Sequence, residues 1–268
     1  FEGGVVSSHD FENIEVFDDA YITEEASRSW YSDDEPSSPY DGDTTPFYTD
    51  LNDDGSLKTE GKYSWIKAPR YKGKPMEVGP AARMIIGYAK TSKVITPYMK
   101  RFMNATGMEL MDFSTTLGRN AARAVEAQIC CDSVFDFCSD LIENIKYYDE
   151  ETWTKYNFEE LPKEAKGRGI FEVPRGVLSH FVRIEDAKVS NYQAVVPTTW
   201  NASPKDASGI RGPYEESLIG ITLADPSSPL EVLRVVHSFD PCLACAVHVI
   251  DIKGTSLAEY KINPVCSV

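Results

Sequence analysis

The longest regular signal in the chain runs from Thr115 to Tyr148. Ala127, Cys131, Val134, Cys138, Leu141, Ile145 and Tyr148 recur at alternating spacings of four and three, the stripe of a helix packed in a bundle. On that spacing Cys131 and Cys138 are small, buried, apolar residues. Two shorter helices are predicted upstream. Pro80 suits the first turn of a helix through Ala81–Thr91, and a second covers Lys93–Thr106 with Gly107 as its stop. From Gly169 the period shortens. Ile170–Val173, Val177–Ile184 and Lys188–Val196 are rich in Val, Ile and Phe, and Glu185-Asp186-Ala187 closes a hairpin between the last two. Helices return at Pro213–Ile221 and Pro229–His237, the second with Ser228 as N-cap and Glu231 completing a capping box. The predicted fold is α+β: mainly helical, with one bundle-type long helix and a small antiparallel sheet.

The flanks are less regular. Residues 1–62 are polar, with turn signals at Pro36, Pro39, Asp41-Gly42 and Asp54-Gly55, which predicts an irregular surface segment with one short helix near Asp18–Trp30. Residues 63–78 read as loop, because Pro69, Gly73, Pro75 and Gly79-Pro80 interrupt any element. The tail 249–268 has a Lys253-Gly254 turn between short apolar runs, and the chain has no internal repeat. Three parts follow: an acidic segment 1–62, a central body 63–248 and the tail.

Charge sharpens this division. The net charge is −15, and residues 1–60 hold 17 of the 42 acidic residues against only Arg28 and Lys58, leaving 25 acidic and 25 basic residues in the rest. The acidity is a solvated surface, and it argues against nucleic acid as a partner. The hydrophobic fraction of 42% is ordinary for a globular protein. There is no signal-peptide pattern, and no apolar run is long enough to span a bilayer. The start at Phe1 reads as a piece of a longer protein.

The candidate chemistry lies in Asp240-Pro241-Cys242-Leu243-Ala244-Cys245-Ala246-Val247-His248. Two cysteines three apart, with a histidine three further on, are expected on one face of a helical turn that Asp240-Pro241 begins. The helix dipole there favours thiolate, the form that binds soft or borderline metals, and imidazole suits a harder site nearby. Taken alone, the three side chains also suit zinc with one external ligand, in a non-catalytic metal-binding or interaction module.

The run from Ser238 to Ile250 resembles the C-terminal metal motif of nickel–iron hydrogenase large subunits. The resemblance extends along the chain in family order. Tyr63-Ser64-Trp65-Ile66-Lys67-Ala68-Pro69-Arg70-Tyr71-Lys72-Gly73, Met76-Glu77-Val78-Gly79-Pro80 and Thr115-Thr116-Leu117-Gly118-Arg119 look like segments of its respiratory, uptake-type members. Glu172-Val173-Pro174-Arg175-Gly176 resembles its Glu-Ala-Pro-Arg-Gly loop, with Val173 replacing Ala, and Asn191–Pro204 resembles another block. The family's N-terminal Arg-x-Cys-Gly-x-Cys motif is absent, so the chain resembles the C-terminal half of such a subunit.

The resemblance implies reversible heterolytic cleavage of H2 at a nickel–iron centre whose iron carries carbon monoxide and cyanide. Cys242 would be a terminal nickel ligand, Cys245 a bridge between the metals, and His248 a magnesium ligand together with the Ala194 carbonyl. Arg175, placed by Pro174, and Thr198, beside Pro197, would donate to cyanide. Asp240 would hold Arg175, and Cys242 and Arg175 are the candidate bases. Outside that context Arg175 is an ordinary ion-paired arginine, Thr198 a capping hydroxyl and Asp240 an N-cap worth about 1 kcal/mol. His9, His180 and His237 read as structural or surface residues. The implied partners are an iron–sulfur small subunit, a maturation endopeptidase and nickel chaperones. The implied location is periplasmic, or at the membrane through the small subunit. In the family the endopeptidase cuts after the motif histidine, which makes 249–268, with Cys266, a maturation peptide.

Overall fold

A computed structural model describes the chain except residues 2, 8, 9, 33, 43, 50, 51, 54–57, 59, 60, 154, 156, 158–160, 243–245, 251–255 and 262–268; for 246–250 and 256–261 it describes the backbone alone. The elements in order are β1 (Val5–Ser7), β2 (Asp10–Glu15), β3 (Ile22–Glu25), β4 (Ala68–Tyr71), α1 (Pro80–Ala89), α2 (Ile95–Thr106), α3 (Thr116–Tyr147), β5 (Ala165–Val173), β6 (Gly176–Glu185), β7 (Lys188–Val195), α4 (Pro197–Asn201), α5 (Pro213–Ser217), α6 (Leu230–Ser238), β8 (Ala246–Ile250) and β9 (Ser256–Lys261). The mixture is α+β, and its strands form small sheets of two or three.

The chain divides into two compact units. The first comprises residues 1–17, 80–167 and 182–190. Its core joins Ala81, Met84 and Ile85 of α1, Ile95 and Met99 of α2, Phe113, and Ala121, Ala122, Val125 and Ile129 of α3. Each large apolar side chain buried there contributes about 1.5–3 kcal/mol. Thr115 caps α3 by accepting the Gly118 N–H at 3.1 Å, and Gly107 ends α2 as predicted, its N–H reaching the Met103 carbonyl. Inside this packing the Arg83 guanidinium makes a two-pronged pair with Glu126, at 2.9 and 2.8 Å.

The stripe expected to be buried along α3 is not the one that packs. Gly118, Ala122, Val125 and Ile129 face the core, while Ala127, Cys131, Val134, Cys138, Leu141, Ile145 and Tyr148 are exposed. Val134, Leu141 and Ile145 keep 51%, 58% and 53% of their surface. The spacing specifies a stripe, but only the first half of α3 has α1 and α2 beside it. Cys131 and Cys138 are therefore surface thiols here rather than core residues.

The second unit comprises residues 18–79, 168–181 and 191–268. Its first elements differ from expectation. In place of a helix near Asp18–Trp30 there is one 3-10 turn, Asp19–Tyr21, followed by β3. Within the supposed loop 63–78 lies β4, antiparallel to β3 with Ile22 opposite Tyr71 and Glu25 opposite Ala68. Pairing across more than forty residues outweighs the local turn signals, because each strand satisfies the other's backbone groups. Pro69 is tolerated because β4 pairs with β3 alone, as an edge. Buried cations tie the irregular stretches to these strands. The Lys62 ammonium donates to the carbonyls of Ala26, Ser29 and Tyr31 at 2.8, 2.9 and 3.1 Å and pairs with Asp34. Arg70 reaches Asp206, Ser203 Oγ and the carbonyls of Pro69, Pro204 and Ile210.

Strands β5, β6 and β7 form a three-stranded sheet in sequence order. The β6–β7 hairpin closes on Asp186-Ala187 as expected, both at positive φ, 51° and 59°, the geometry of a two-residue hairpin loop. The β5–β6 hairpin closes on Pro174-Arg175. Further on, α5 is shorter than predicted. α6 starts one residue late, with Pro229 rather than Ser228 at the N-cap and no side-chain cap, so the expected capping box does not form.

Candidate metal centre

Two backbone elements bring the site residues together. Pro174 and Arg175 occupy the tight turn between β5 and β6, so the arginine projects from a stiff support rather than a long loop. α4 follows β7 directly. Pro197 takes its first turn, with φ already fixed for a helix. Thr198 and Asn201, both buried, lie one turn apart on α4, the spacing that shares a helix face. Ala194 sits near the end of β7, half-buried.

The cysteine motif enters after α6. The Phe239 N–H caps that helix, and Asp240 then turns the chain with φ 55°, a conformation that aspartate tolerates better than most residues. Of the helical turn expected over 240–248, the described residues show none: 240–242 are not helical, and 246–248 belong to β8. Asp240 is not a helix N-cap, and the chain runs on into β8, where Val247, Val249 and Ile250 suit a strand and β9 offers a partner. His248 stands opposite Glu259, and Val249 opposite Ala258. Cys245 lies outside the described residues, as do the Lys253-Gly254 turn and Cys266; of His248 only the backbone is described.

Arg175, Asp240, Thr198 and Cys242 form one linked group. Arg175 Nε donates to the Asp240 carbonyl at 3.0 Å and lies 3.2 Å from its Oδ2, and Nη2 reaches Oδ1 at 3.5 Å. Both side chains are about 40% exposed (40% and 39%), so the pair contributes only about 0–1 kcal/mol to stability. Its effect is to orient the guanidinium plane. Thr198 Oγ1 accepts the Cys242 backbone N–H at 3.2 Å. That contact uses an acceptor site of the hydroxyl and leaves its single proton to be donated elsewhere. Cys242 is an exposed free thiol.

The donors present, a free thiol on Cys242, the five-donor Arg175 guanidinium paired with Asp240 and the buried Thr198 hydroxyl, fit a thiolate-bound metal whose other ligands are anionic. No group of three or more His, Cys, Asp or Glu side chains converges among the described residues. Sequence reasoning passed over Asn201 and Gly79. The signal for Asn201 was its place one turn after Thr198 on a proline-started helix; for Gly79, only the folded backbone shows the contact.

A hairpin-borne arginine pairs with Asp240, and a helix-borne threonine accepts the Cys242 N–H two residues on; comparison with known proteins adds the family. The family model described as nickel-dependent hydrogenase matches residues 1–248. The chain belongs to that family. It is 47% identical over 277 residues to the quinone-reactive Ni/Fe-hydrogenase large chain of Wolinella succinogenes, covering 99% of this chain and 48% of that one. It is 41% identical over 280 residues to the hydrogenase-2 large chain of Escherichia coli K12, covering 98% and 47%. Among solved structures, an H2-activated [NiFeSe]-hydrogenase of Desulfomicrobium baculatum aligns at a TM-score of 0.67 with 34% identity, over 86% of this chain and 45% of that one. The chain thus spans about half the length of the relatives it matches.

Proposed function

We propose that this chain forms the C-terminal half of a nickel–iron hydrogenase large subunit and helps catalyse reversible heterolytic cleavage of H2. The observation that carries the reading is the linked group of Arg175, Asp240, Thr198 and Cys242, in a chain of the nickel-dependent hydrogenase family. Cys242 and Cys245 would hold the nickel–iron centre; when bound, it supplies the electron-pair acceptor for H2 cleavage. Arg175 and Thr198 would donate hydrogen bonds to cyanide on the iron, fixed charges and dipoles that need no reorganisation during the reaction. The Cys242 thiolate or Arg175 would receive the proton. Asp240 would keep the guanidinium aligned. His248 and the Ala194 carbonyl would hold magnesium, a hard ion suited to oxygen and imidazole donors.

Electrons would leave through an iron–sulfur small subunit, and maturation would involve an endopeptidase and nickel chaperones. No helix among the described residues is long and apolar enough to cross a membrane. The quinone-reactive and uptake descriptions of the relatives support a location at the membrane through a partner. Nothing supports the zinc-module reading. The test is Cys242→Ser and Cys245→Ser in the complete enzyme. Each should abolish nickel retention and H2 turnover, since a hydroxyl is too hard and too weakly acidic to replace thiolate. Wild-type nickel content in either variant overturns the assignment.

A further inference from the structure

The backbone under Arg175 is held by a contact that the chemistry above does not use. Asn201 is buried, and its amide clips both backbone groups of one residue. Oδ1 accepts the Val78 N–H at 3.0 Å, and Nδ2 donates to the Val78 carbonyl at 2.9 Å. The two bonds fix Val78 in position and rotation, as one bond alone would not. Val78 and Gly79 in turn lie directly against the Arg175 turn. A Cβ placed on Gly79 would meet the Arg175 carbonyl at 3.0 Å. A Cβ on Gly176 would lie 2.6 Å from Val78 Cγ2 and 2.9 Å from the Gly79 N, and both glycines have φ values, 131° and 135°, that other residues rarely adopt. Neither glycine puts a side chain of its own into this contact, so a shift in one backbone is felt by the other.

These contacts close a ring. Asn201 and Thr198 share α4. Asn201 holds Val78-Gly79, which backs the Pro174-Arg175-Gly176 turn. Arg175 holds Asp240, and the Cys242 N–H, two residues on, returns to Thr198. We propose that Asn201 is the positioning residue for Arg175: one helix face sets both the hydroxyl that meets the Cys242 N–H and, through Val78-Gly79, the placement of the turn that carries the guanidinium. The inference rests on the role given to Arg175 in the preceding subsection. It adds that α4 is the common reference for the site's two hydrogen-bond donors.

The experiment is a double-mutant cycle in the intact, metal-loaded enzyme, combining Asn201→Ala with Arg175→Lys. It follows turnover, KM for H2, the cyanide infrared bands and the melting temperature. Asn201→Ala alone should lower turnover about tenfold or more with KM changed less than about twofold, and should shift the cyanide bands. In the Arg175→Lys background the same substitution should have little further effect on turnover or bands, because the group it positions is gone. Should Asn201→Ala fail to fold, Asn201→Leu keeps the volume, adds no charge and loses both bonds to Val78. It should show the same pattern. An Asn201 effect of equal size in both backgrounds overturns the proposal. So does a lowered melting temperature with bands and turnover per loaded centre unchanged, which marks a purely structural clip. If Arg175→Lys itself leaves bands and turnover as in the wild type, the role of Arg175 falls, and this inference falls with it.

Discussion

The buried hydroxyl of Thr198 accepts the backbone N–H of Cys242 at 3.2 Å. It joins a short helix to a cysteine 44 positions further on, and it fixes where that cysteine's main chain runs before β8 begins. Thr198→Val keeps the shape, removes the acceptor and removes the donated proton. Nickel should be retained, one cyanide band should move, and turnover should fall about tenfold; Thr198→Ser should restore both the band and the turnover. Infrared spectra of the loaded enzyme check this, and unchanged bands in the valine variant would sink it.

The tail offers a second check. The family match ends at His248, and 249–268 lie outside it. If these residues are a maturation peptide, the active enzyme purified from its native source should contain a large subunit ending at His248. Intact mass decides the matter: active enzyme still ending at Val268 would remove the processing assignment.

In the first unit, Arg83 and Glu126 are almost fully enclosed, with side chains 4% and 12% exposed. Arg83→Ala strands a carboxylate with its partner gone and should cost about 3–5 kcal/mol. Arg83→Met with Glu126→Leu, which removes both charges and keeps the volume, should cost far less. Urea unfolding of the variants measures both. Equal losses would show that packing, and not the uncompensated charge, sets the cost.

Glu24 bears on pH. Burial pushes its carboxyl above the usual carboxylate range, against the opposing pull of Lys67 and the Gln193 hydrogen bond. Between the unfolded and folded values the native state holds the extra proton. Its contribution to stability is therefore complete below the ordinary carboxylate value and is lost as pH rises through the folded one. Glu24→Gln should flatten that part of the curve, read from urea midpoints between about pH 4 and pH 8. The same slope in wild type and variant would assign it to other groups.

Much of the helical framework was legible in the sequence, because proline and glycine marked its ends and the apolar period was sustained. The β6–β7 hairpin was legible for a similar reason, because Asp186-Ala187 interrupts a β-rich run; the one at Pro174-Arg175 shows only in the fold. β3 and β4 were not, since each is short and its partner lies more than forty residues away. The burial of α3 was misread because a heptad stripe states what a face needs and says nothing about whether a neighbour is there. At the site, the chemical identity of Cys242, Arg175, Asp240 and Thr198 came from motifs. The strand at Ala246–Ile250 and the positive φ of Asp240 came only from the fold, where cross-strand pairing outweighed the helix-start signal of Asp240-Pro241.

α3 is one rod in two environments. From Thr116 to Ile129 one of its faces locks into a core, and from Cys130 to Tyr147 nearly every position meets water. Backbone amides in the first stretch exchange with solvent only when the first unit itself opens. Those in the second are protected by helix hydrogen bonds alone, and an isolated segment of that length is marginal in water. A hydrogen-exchange profile along this single helix therefore falls from slow to fast near Ile129. Anything that settles on the exposed stripe would register first as slowed exchange beyond that point.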